Sequence, residues 1–239
     1  MGDGGAEYDV LGADFRTLSE QRAVYLSAID QIVINSIPEG SSSMLDVGAG
    51  DGVRAARIRS ERGIKRLVMA EPSMTMVELC RKLPSAEVWP LAAQDLPDST
   101  DKFDVITCLW NVLGHLESHK TRRAALKKMS HMLSPNGLIF LDVNNRYNAR
   151  SYGLLKSGFR FLYDLIFPSE ANGNVSFIWH VSERSIQASG HVFRPAEIEI
   201  LLKEAGLRIL ERFVIDDKTG KLRRFKCEGH LLYVATVGR

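Results

Sequence analysis

The chain has 239 residues, of which 45% are hydrophobic and 25% charged, and its formal net charge is +2. This length suits one substantial domain with its own core, and the small net charge gives no general affinity for a polyanion. No apolar run approaches the roughly 20 residues that span a bilayer, so we expect no membrane partner.

The N-terminus and the cysteines bear on the cellular compartment. Residues Met1–Gly5 are rich in glycine, which predicts local mobility, and they lack the charged and apolar regions of a secretory signal. Cys80, Cys108 and Cys227 are odd in number and widely spaced, a pattern typical of neither a disulfide framework nor a thiolate zinc site. We therefore expect a cytoplasmic protein with a single domain over residues 1–239.

The first predicted element is a helix within an N-terminal helical segment, residues 7–37. Thr17-Leu18-Ser19-Glu20 fits a capping box for its start, and Tyr25 and Ile29 share one face behind it. Pro38-Glu39-Gly40 is predicted to end the helix, because proline and glycine interrupt helical backbone.

From residue 40 to residue 143 the pattern alternates between strands and helices. The predicted strands are Met44–Val47, Arg66–Glu71, Glu87–Trp89, Asp104–Leu109 and Leu138–Val143. Segments with helical spacing separate them. Such alternation predicts an α/β fold, in which helices cover both faces of a mostly parallel sheet.

Residues 149–193 follow the fifth strand and form a predicted insert. Its first part has apolar residues at helical spacing, namely Leu155, Phe159, Leu162 and Ile166. Its second part alternates, with Val175, Phe177 and Trp179 on one face of a predicted strand. The helix has more apolar surface than one buried stripe requires, so we interpret the insert as a substrate lid. Packing on the domain or in a dimer interface is the alternative.

Beyond the insert, the pattern returns to one helix and two strands. Pro195 stands in the first turn of the predicted helix and Gly206 follows its end, as is typical of helix termini. The predicted strands are Leu207–Ile215 and His230–Val237.

The most informative stretch is the glycine loop Leu45–Gly52, which follows a strand and opens a helix. Glycines let the chain turn sharply and let a ligand lie against the backbone, although they also serve packing alone. Glu71 ends the next strand, at a position where a carboxylate can accept hydrogen bonds from both ribose hydroxyls of a nucleoside. The loop and the acid together predict a nucleoside site.

The spacing of the loop and the acid before it favour one nucleoside ligand. The glycines follow G-x-G-x-G rather than the G-x-G-x-x-G of a dinucleotide site, and Asp46 precedes them. A carboxylate here repels a pyrophosphate but suits a ligand with an ammonium and a sulfonium. The pattern favours S-adenosylmethionine over NAD.

The loop resembles motif I of class I S-adenosylmethionine-dependent methyltransferases of the small-molecule type. Further segments are similar to that family's motifs and occur in its order: Glu71–Met76, Ala93–Pro97, Phe103–Thr107 and Leu133–Gly137. Asn136 stands where the family often has glycine, which affects only a turn. The resemblance covers about residues 40–143, the predicted cofactor-binding core. It implies a doubly wound, Rossmann-like sheet of about seven strands whose last strand is antiparallel, with the insert after the fifth strand.

The resemblance also implies the residues of an S-adenosylmethionine site. The loop backbone would lie against the methionine part with Asp46 near its ammonium, Glu71 would bind the ribose, and Asp95 would accept from the adenine amino group. A turn-forming role is the alternative for Asp95. The candidate cofactor-binding residues are Asp46, Gly48, Ala49, Gly50, Gly52, Glu71, Pro72, Met76, Gln94, Asp95, Leu96, Leu109, Trp110 and Asn111.

Polar and aromatic residues follow the fourth and fifth strands, at the sheet edge where α/β proteins bind ligands. The candidate substrate-binding residues there and in the insert are Asn144, Arg146, Tyr147, Trp179 and His180. His115 is the best-placed candidate for a catalytic base, with a capping or core role as the alternative. We expect no metal, because Asp104 begins its strand, away from the crevice, and too few acids remain.

Three functions stay open at this point. The leading one is methyl transfer to an oxygen, nitrogen or carbon atom of a small-molecule acceptor by a monomer or homodimer, with no nucleic acid involved. The basic stretch at residues 218–226 keeps methylation of tRNA or another RNA as an alternative. The third is a non-catalytic module that binds S-adenosylmethionine.

Overall fold

The computed structural model describes residues 6–181 and 183–238. The mobility predicted for Met1–Gly5 concerns residues outside these ranges. The helices are α1 (Ala6–Leu11), α2 (Phe15–Gln21), α3 (Ala23–Ser36), α4 (Val53–Arg62), α5 (Met74–Cys80), α6 (His119–Met132), α7 (Ala149–Tyr152), α8 (Leu154–Ile166) and α9 (Pro195–Glu204). The strands are β1 (Ser43–Val47), β2 (Arg66–Ala70), β3 (Ala86–Trp89), β4 (Phe103–Cys108), β5 (Leu133–Val143), β6 (Asn174–Val181), β7 (Arg184–His191), β8 (Leu207–Ile215), β9 (Leu222–Arg223) and β10 (His230–Val237).

Eight strands form the central sheet, in the order β3-β2-β1-β4-β5-β10-β8-β9. Strands β1 to β5 pair in parallel, and β10 is antiparallel to both β5 and β8. The structure therefore confirms the α/β class, the mostly parallel sheet and the antiparallel last strand. The sheet exceeds the expected seven strands because the two-residue β9 extends its edge beside β8.

Helices cover both faces of the sheet, and each face has its own apolar core. On one face, α6 and α9 bury residues such as Leu126 and Leu201 against the strands. On the other, α3 and α4 bury residues such as Ile29 and Ile58. Because the central strands are buried on both sides, they read in the sequence as continuous apolar runs.

The insert forms a second, two-stranded sheet. Strands β6 and β7 pair antiparallel, from Asn174 opposite His191 to Val181 opposite Arg184. In β6, alternate residues are more buried, and these include Phe177 and Trp179, as the sequence pattern predicts. Gly153 divides the helical first part of the insert into α7 and α8, and β7 was not identified from the sequence.

Two predicted boundaries are wrong. Thr17 does not start a helix but lies inside α2, because buried Leu11, Phe15 and Leu18 pack with Met76 and extend helical structure upstream. Tertiary packing here outweighs a local capping signal. Likewise β5 begins at Leu133, within the predicted turn, and it pairs with β4 across a register shift.

Candidate functional site

A cavity of about 380 Å³ opens where β1, β2 and β4 end, beside the glycine loop. Its volume lies in the range of small-molecule sites. Nine residues predicted from the sequence line it: Asp46, Gly48, Ala49, Gly50, Glu71, Pro72, Leu109, Trp110 and His115. The carboxyl ends of the parallel strands thus gather most of the predicted cofactor residues at one place.

Two positions of the loop require glycine for different structural reasons. Gly50 has a φ of +58°, and a Cβ there would lie 2.6 Å from Phe15 Cζ, which closes over the loop. Gly52 has a φ of +74°, and a Cβ there would lie 2.7 Å from Met69 Sδ. Gly52 does not line the cavity, although a contact with the cofactor was predicted for it. It lets α4 pack closely on the sheet instead.

Glu71 is buried at the end of β2, and its carboxylate already holds the surrounding backbone. Its two oxygens accept from the Gly50 amide at 2.8 Å and from the Ser73 amide at 2.9 Å. Burial raises the pKa of Glu71 to about 7, and the nearby charge of Asp46 adds to the shift. Each oxygen keeps a lone pair for a ligand hydroxyl.

Asp46 supplies a second buried carboxylate at the end of β1. The hydroxyl of Thr107 donates to its Oδ1 at 2.5 Å, and burial raises the pKa of Asp46 to about 6. Burial disfavours the ionised form of Asp46, so a cationic group placed beside it would strongly stabilise that form and be attracted in turn.

Arg54 brings an unsatisfied donor to the same cavity. Its Nε bonds to Asp30, whose other oxygen accepts from Arg57 at 2.9 Å. The Nη2 atom of Arg54 is buried and has no hydrogen-bond partner among the described residues. A buried carboxylate and a free guanidinium nitrogen in one cavity suit an α-amino acid group, with its ammonium at Asp46 and its carboxylate at Arg54. The donor set therefore fits the methionine part of S-adenosylmethionine.

The chain takes an unusual path after β4. Trp110 and Asn111 have φ values of 62° and 61°, a region that non-glycine residues seldom occupy. Asp142 stabilises this path, since its Oδ2 accepts from the Trp110 amide at 2.9 Å and its carbonyl from the Asn111 amide at 3.2 Å. The side chain of Asn111 accepts from the Asn144 amide at 2.9 Å. Asn111 thus stabilises the loop. It does not line the first cavity but lines a second one, described below.

Four further residues predicted for the cofactor site do not line the first cavity, namely Met76, Gln94, Asp95 and Leu96. Met76 is fully buried in the cluster below α1 and α2. Leu96 is a core residue whose carbonyl accepts from Lys128, while Asp95 is exposed and accepts from Gln94. Ala92 and Ala93, just before them, line the cavity instead. The turn was identified correctly from the sequence, but its backbone faces the cavity about two residues earlier than predicted.

A second cavity, of about 420 Å³, adjoins the first and shares Tyr8, Trp110 and His115 with it. The insert supplies much of its wall. The insert residues that line it are Ser151, Tyr152, Lys156, Arg160, Val175, Ser176, Phe177, Ile178, Trp179, Gly190, His191 and Val192. Two adjoining cavities separated by three shared side chains can hold two ligands close to each other.

His115 lies at the junction of the two cavities. Its Nε2 is hydrogen-bonded to the Tyr8 hydroxyl at 3.1 Å, and its ring lies 6.5 Å from that of Trp179. Burial lowers the pKa of His115 to about 4, so the imidazole is neutral at pH 7. A neutral imidazole is able to accept a proton.

The predicted substrate residues divide into two groups. Asn144 and Trp179 line the second cavity. Arg146 does not, because its guanidinium is buried in an ion pair with Asp164 at 2.5 Å, and the Tyr147 hydroxyl donates to the same carboxylate at 2.9 Å. His180, near the end of β6, is exposed and lines neither cavity. Arg146 and Tyr147 therefore anchor the insert, contrary to the prediction.

The N-terminal helices supply residues that the sequence did not identify as functional. Tyr8 lines both cavities, and Phe15 lines the first with its ring 5.6 Å from that of Trp110. No local motif marks these aromatic residues. The helical spacing of Leu11, Phe15 and Leu18 was the available signal, and it indicates a helix face without indicating what it covers.

Comparison with known proteins identifies relatives. The model of the family described as "Methyltransferase domain" matches residues 19–212. Glycine N-methyltransferase of Rattus norvegicus is 29% identical over 140 residues, which are 52% of this chain and 47% of that protein. The dTDP-4-amino-2,3,4,6-tetradeoxy-D-glucose N,N-dimethyltransferase of Saccharopolyspora spinosa is 27% identical over 135 residues, 56% and 53% of the two chains. The chain spans about half the length of these curated relatives.

Solved structures share the fold over most of the chain. The CcbJ methyltransferase from Streptomyces caelestis aligns with a TM-score of 0.66 at 15% identity, covering 89% of this chain and 90% of that one. CalS10, an amino pentose methyltransferase from Micromonospora echinaspora, aligns with a TM-score of 0.62 at 18% identity, covering 95% and 96%. CalS10 was solved with S-adenosylmethionine bound. At these identities the likeness concerns the fold.

Proposed function

Because the chain belongs to the methyltransferase domain family, we propose that it transfers a methyl group from S-adenosylmethionine to a small-molecule acceptor. The other product is S-adenosylhomocysteine. The observation that carries the proposal is the pair of adjoining cavities, one beside the glycine loop and one walled by the insert, which meet at Tyr8, Trp110 and His115.

The first cavity holds S-adenosylmethionine in this proposal. Asp46 contacts the ammonium and Arg54 Nη2 the carboxylate of the methionine part, while Glu71 accepts from the ribose hydroxyls. Pro72 and Ala93 pack on the adenine. When bound, S-adenosylmethionine would supply an electrophilic methyl group on its sulfonium, and Trp110 lines both cavities where they meet.

The second cavity holds the acceptor in line with that methyl group. A lone pair of the acceptor atom forms the new bond to carbon, and the carbon–sulfur electron pair returns to sulfur. Alignment supplies much of the rate in such a displacement, and Tyr8 and Phe15 exclude water from the junction. Neutral His115 takes up the proton that the acceptor loses.

A nitrogen atom is the first acceptor to test, with oxygen and carbon as the others. The names of both curated relatives describe methylation of nitrogen, on glycine and on an amino sugar. The cavity of about 420 Å³ has the size of a small-molecule site. RNA is disfavoured, because Arg223 is paired with Asp216 and Lys226 with Glu199, which reduces the positive charge of the basic stretch.

The same proposal covers the organisation of the chain. Residues 7–37, the cofactor core 40–143 and the insert 149–193 act together as one domain, in a monomer or homodimer. A cytoplasmic location agrees with the three free cysteines, two of which are buried.

A release assay tests the proposed reaction. The purified protein is incubated with S-adenosylmethionine and a panel of amino sugars, amino acids, hydroxylated metabolites and total RNA, and S-adenosylhomocysteine is quantified. We expect release with at least one small molecule and a methylated product by mass spectrometry. Methylation of RNA alone would overturn the acceptor class. Tight binding of S-adenosylmethionine with no turnover on any acceptor would favour a binding module.

A further inference from the structure

Helix α8 faces the domain with its polar residues and the solvent with its apolar ones. Its buried residues are Ser157 and Asp164. Leu155 is 92% exposed and Phe159 is 71% exposed. An ordinary surface helix has the opposite arrangement, because burial of the apolar stripe stabilises it.

Specific contacts fix this orientation. The Asp164 carboxylate accepts from Arg146 Nε at 2.5 Å and Nη2 at 3.1 Å, from the Tyr147 hydroxyl at 2.9 Å and from Asn172 Nδ2 at 2.9 Å. Rotating the helix to bury its apolar side would break this buried ion pair and leave charges without partners. The outward apolar surface is therefore a built feature of the insert.

The exposed surface is large for a soluble protein. We define the α8 patch as the nine exposed apolar side chains Leu154, Leu155, Phe159, Phe161, Leu162, Tyr163, Leu165, Ile166 and Phe167. Their combined exposed area is on the order of 1,000 Å², whereas the largest apolar patch of a typical monomer is roughly 300–600 Å². A patch of this size marks a surface that something covers.

The charges beside the patch distinguish between possible occupants. Residues 149–168 contain three cations, Arg150, Lys156 and Arg160, and one carboxylate, Asp164, which is buried in its ion pair. Among the described residues, no carboxylate pairs with Lys156 or Arg160. Contact between two copies through the same patch would bring these like charges together. Anionic lipid headgroups would neutralise them.

The shape of α8 also suits a lipid surface. With 13 residues the helix is about 20 Å long, too short to cross a bilayer. Over the described part of the chain, no helix has the length and apolarity of a membrane span. At about 100° per residue, the exposed apolar positions cover roughly 200° of the helix, wider than the seam of a coiled coil. Such a helix lies in the plane of the lipid headgroups.

The loop after β8 adjoins the same segment. Arg150 Nε donates to Asp216 at 2.6 Å and the Ser151 hydroxyl to Asp217 at 2.5 Å, so the loop that carries Lys218 and Lys221 is joined to α7. This loop carries Asp216 and Asp217 as well as Lys218 and Lys221, so it adds no net charge near the insert, and the positive charge beside the patch comes from Lys156 and Arg160.

We propose that α8 is an interfacial helix that docks the protein on a bilayer with anionic headgroups. The α8 patch inserts between the headgroups, and Lys156 and Arg160 lie at the level of the lipid phosphates. This peripheral contact departs from the expectation of no membrane partner, which rested on the lack of a spanning segment, and it does not depend on the proposed methyl transfer. Since Lys156 and Arg160 also line the second cavity, docking brings that cavity close to the lipid surface.

Sedimentation with vesicles tests the docking. Vesicles of phosphatidylcholine alone are compared with vesicles that also contain phosphatidylglycerol. The wild-type protein should sediment with the anionic vesicles, and less so at high salt. The double variant Leu155→Gln/Ile166→Gln should lose at least about tenfold in vesicle affinity, because two exposed apolar side chains no longer enter the lipid. Ile200→Gln on α9 is the matched control, as Ile200 is 52% exposed on another face.

Three results would overturn the proposal. One is no sedimentation of the wild-type protein with anionic vesicles, and another is equal sedimentation of the double variant. The third is a lipid-free dimer in analytical ultracentrifugation that the double variant converts to a monomer, because a second copy would then cover the patch. Circular dichroism and S-adenosylmethionine binding of the double variant show that a loss of sedimentation is not a loss of folding.

Discussion

Asp46 and Glu71 end neighbouring parallel strands, and both carboxyl groups are buried with raised pKa values, about 6 and about 7. In the folded protein both groups stay protonated at pH values at which they are already ionised in the unfolded chain. As pH rises from the ordinary carboxyl range through these values, ionisation of the two groups therefore lowers the stability of the ligand-free protein. A cationic ligand removes this cost.

The affinity for S-adenosylmethionine is accordingly expected to fall as pH drops from about 7.5 to about 5.5, through the pKa values of Glu71 and Asp46. Below them the carboxyls are protonated and attract an ammonium weakly. Calorimetry near pH 6 in two buffers of different ionisation enthalpy should show proton release on binding. Asp46→Asn should flatten the lower part of the pH profile. An affinity constant across this range would contradict the assignment of Asp46.

Glu71→Ala should weaken S-adenosylmethionine binding by about 1.5–3 kcal/mol, the cost of losing hydrogen bonds to a charged acceptor. Isothermal calorimetry measures the change, and Glu78→Ala, at an exposed position on α5, is the control. Glu71 also holds the amides of Gly50 and Ser73, so thermal unfolding should accompany the measurement. Unchanged affinity would remove Glu71 from the ribose site.

His115→Ala should lower kcat by about 100-fold while the affinity for S-adenosylmethionine stays nearly constant, if the imidazole accepts the acceptor's proton. Burial lowers the pKa of His115 to about 4, so the wild-type base stays neutral down to about pH 5. Protonation of His115 should therefore cause no fall in the rate above that pH. Rates on the identified acceptor test both points. A variant that turns over at the wild-type rate would show that His115 is structural.

At the scale of elements, β6 offers two neighbouring residues with opposite orientations. Trp179 lines the second cavity, whereas His180 is exposed beside it. Trp179→Ala should raise the acceptor KM with little change in S-adenosylmethionine affinity, and His180→Ala should leave both unchanged. Steady-state kinetics on the acceptor compare the pair. Equal effects of the two substitutions would contradict the assignment of the β6–β7 sheet to the acceptor site.

The sequence predicts the elements better than it predicts what they touch. The strands β1 to β4 were located to within one or two residues, because strands buried on both faces read as apolar runs between turn residues. Amphipathic spacing likewise predicted α8, but spacing defines a face without defining its neighbour. Arg146 was assigned to the substrate for the same reason, since its partner Asp164 is brought near only by the folding of the insert.

In the candidate site, the residues of local motifs could likewise be predicted from the sequence, whereas the residues placed by long-range packing could not. The glycine loop, Asp46 and Glu71 belong to one βαβ unit, so their spacing in the sequence predicts that they lie close together. Arg54 lies in the first turn of the next helix, and only the folded structure shows that its Nε binds Asp30 while its Nη2 stays buried without a partner. Tyr8 and Phe15 reach the site through the packing of α1 and α2, which no sequence motif describes.

At the scale of the whole molecule, three distant segments converge on one point. Tyr8 from the N-terminal helices lies 5.4 Å, between ring centroids, from His115 of the core and 5.4 Å from Trp179 of the insert. The junction of the two cavities is therefore complete only when α1, the sheet and the β6–β7 sheet are all in place. Binding in the first cavity should consequently stabilise segments that are far from the glycine loop in sequence.

Bound S-adenosylmethionine is expected to slow amide hydrogen exchange in α1 and α2. Tyr8 and Phe15 line the cavity, so opening these helices would release the ligand. At a ligand concentration about 100 times Kd the linkage adds about 2.7 kcal/mol, or roughly 100-fold slower exchange. Hydrogen exchange followed by mass spectrometry measures this, with α9, which lines neither cavity, as the internal control. Equal exchange in α1 and α2 with and without ligand would show that they open without releasing it, and that they do not enclose the site.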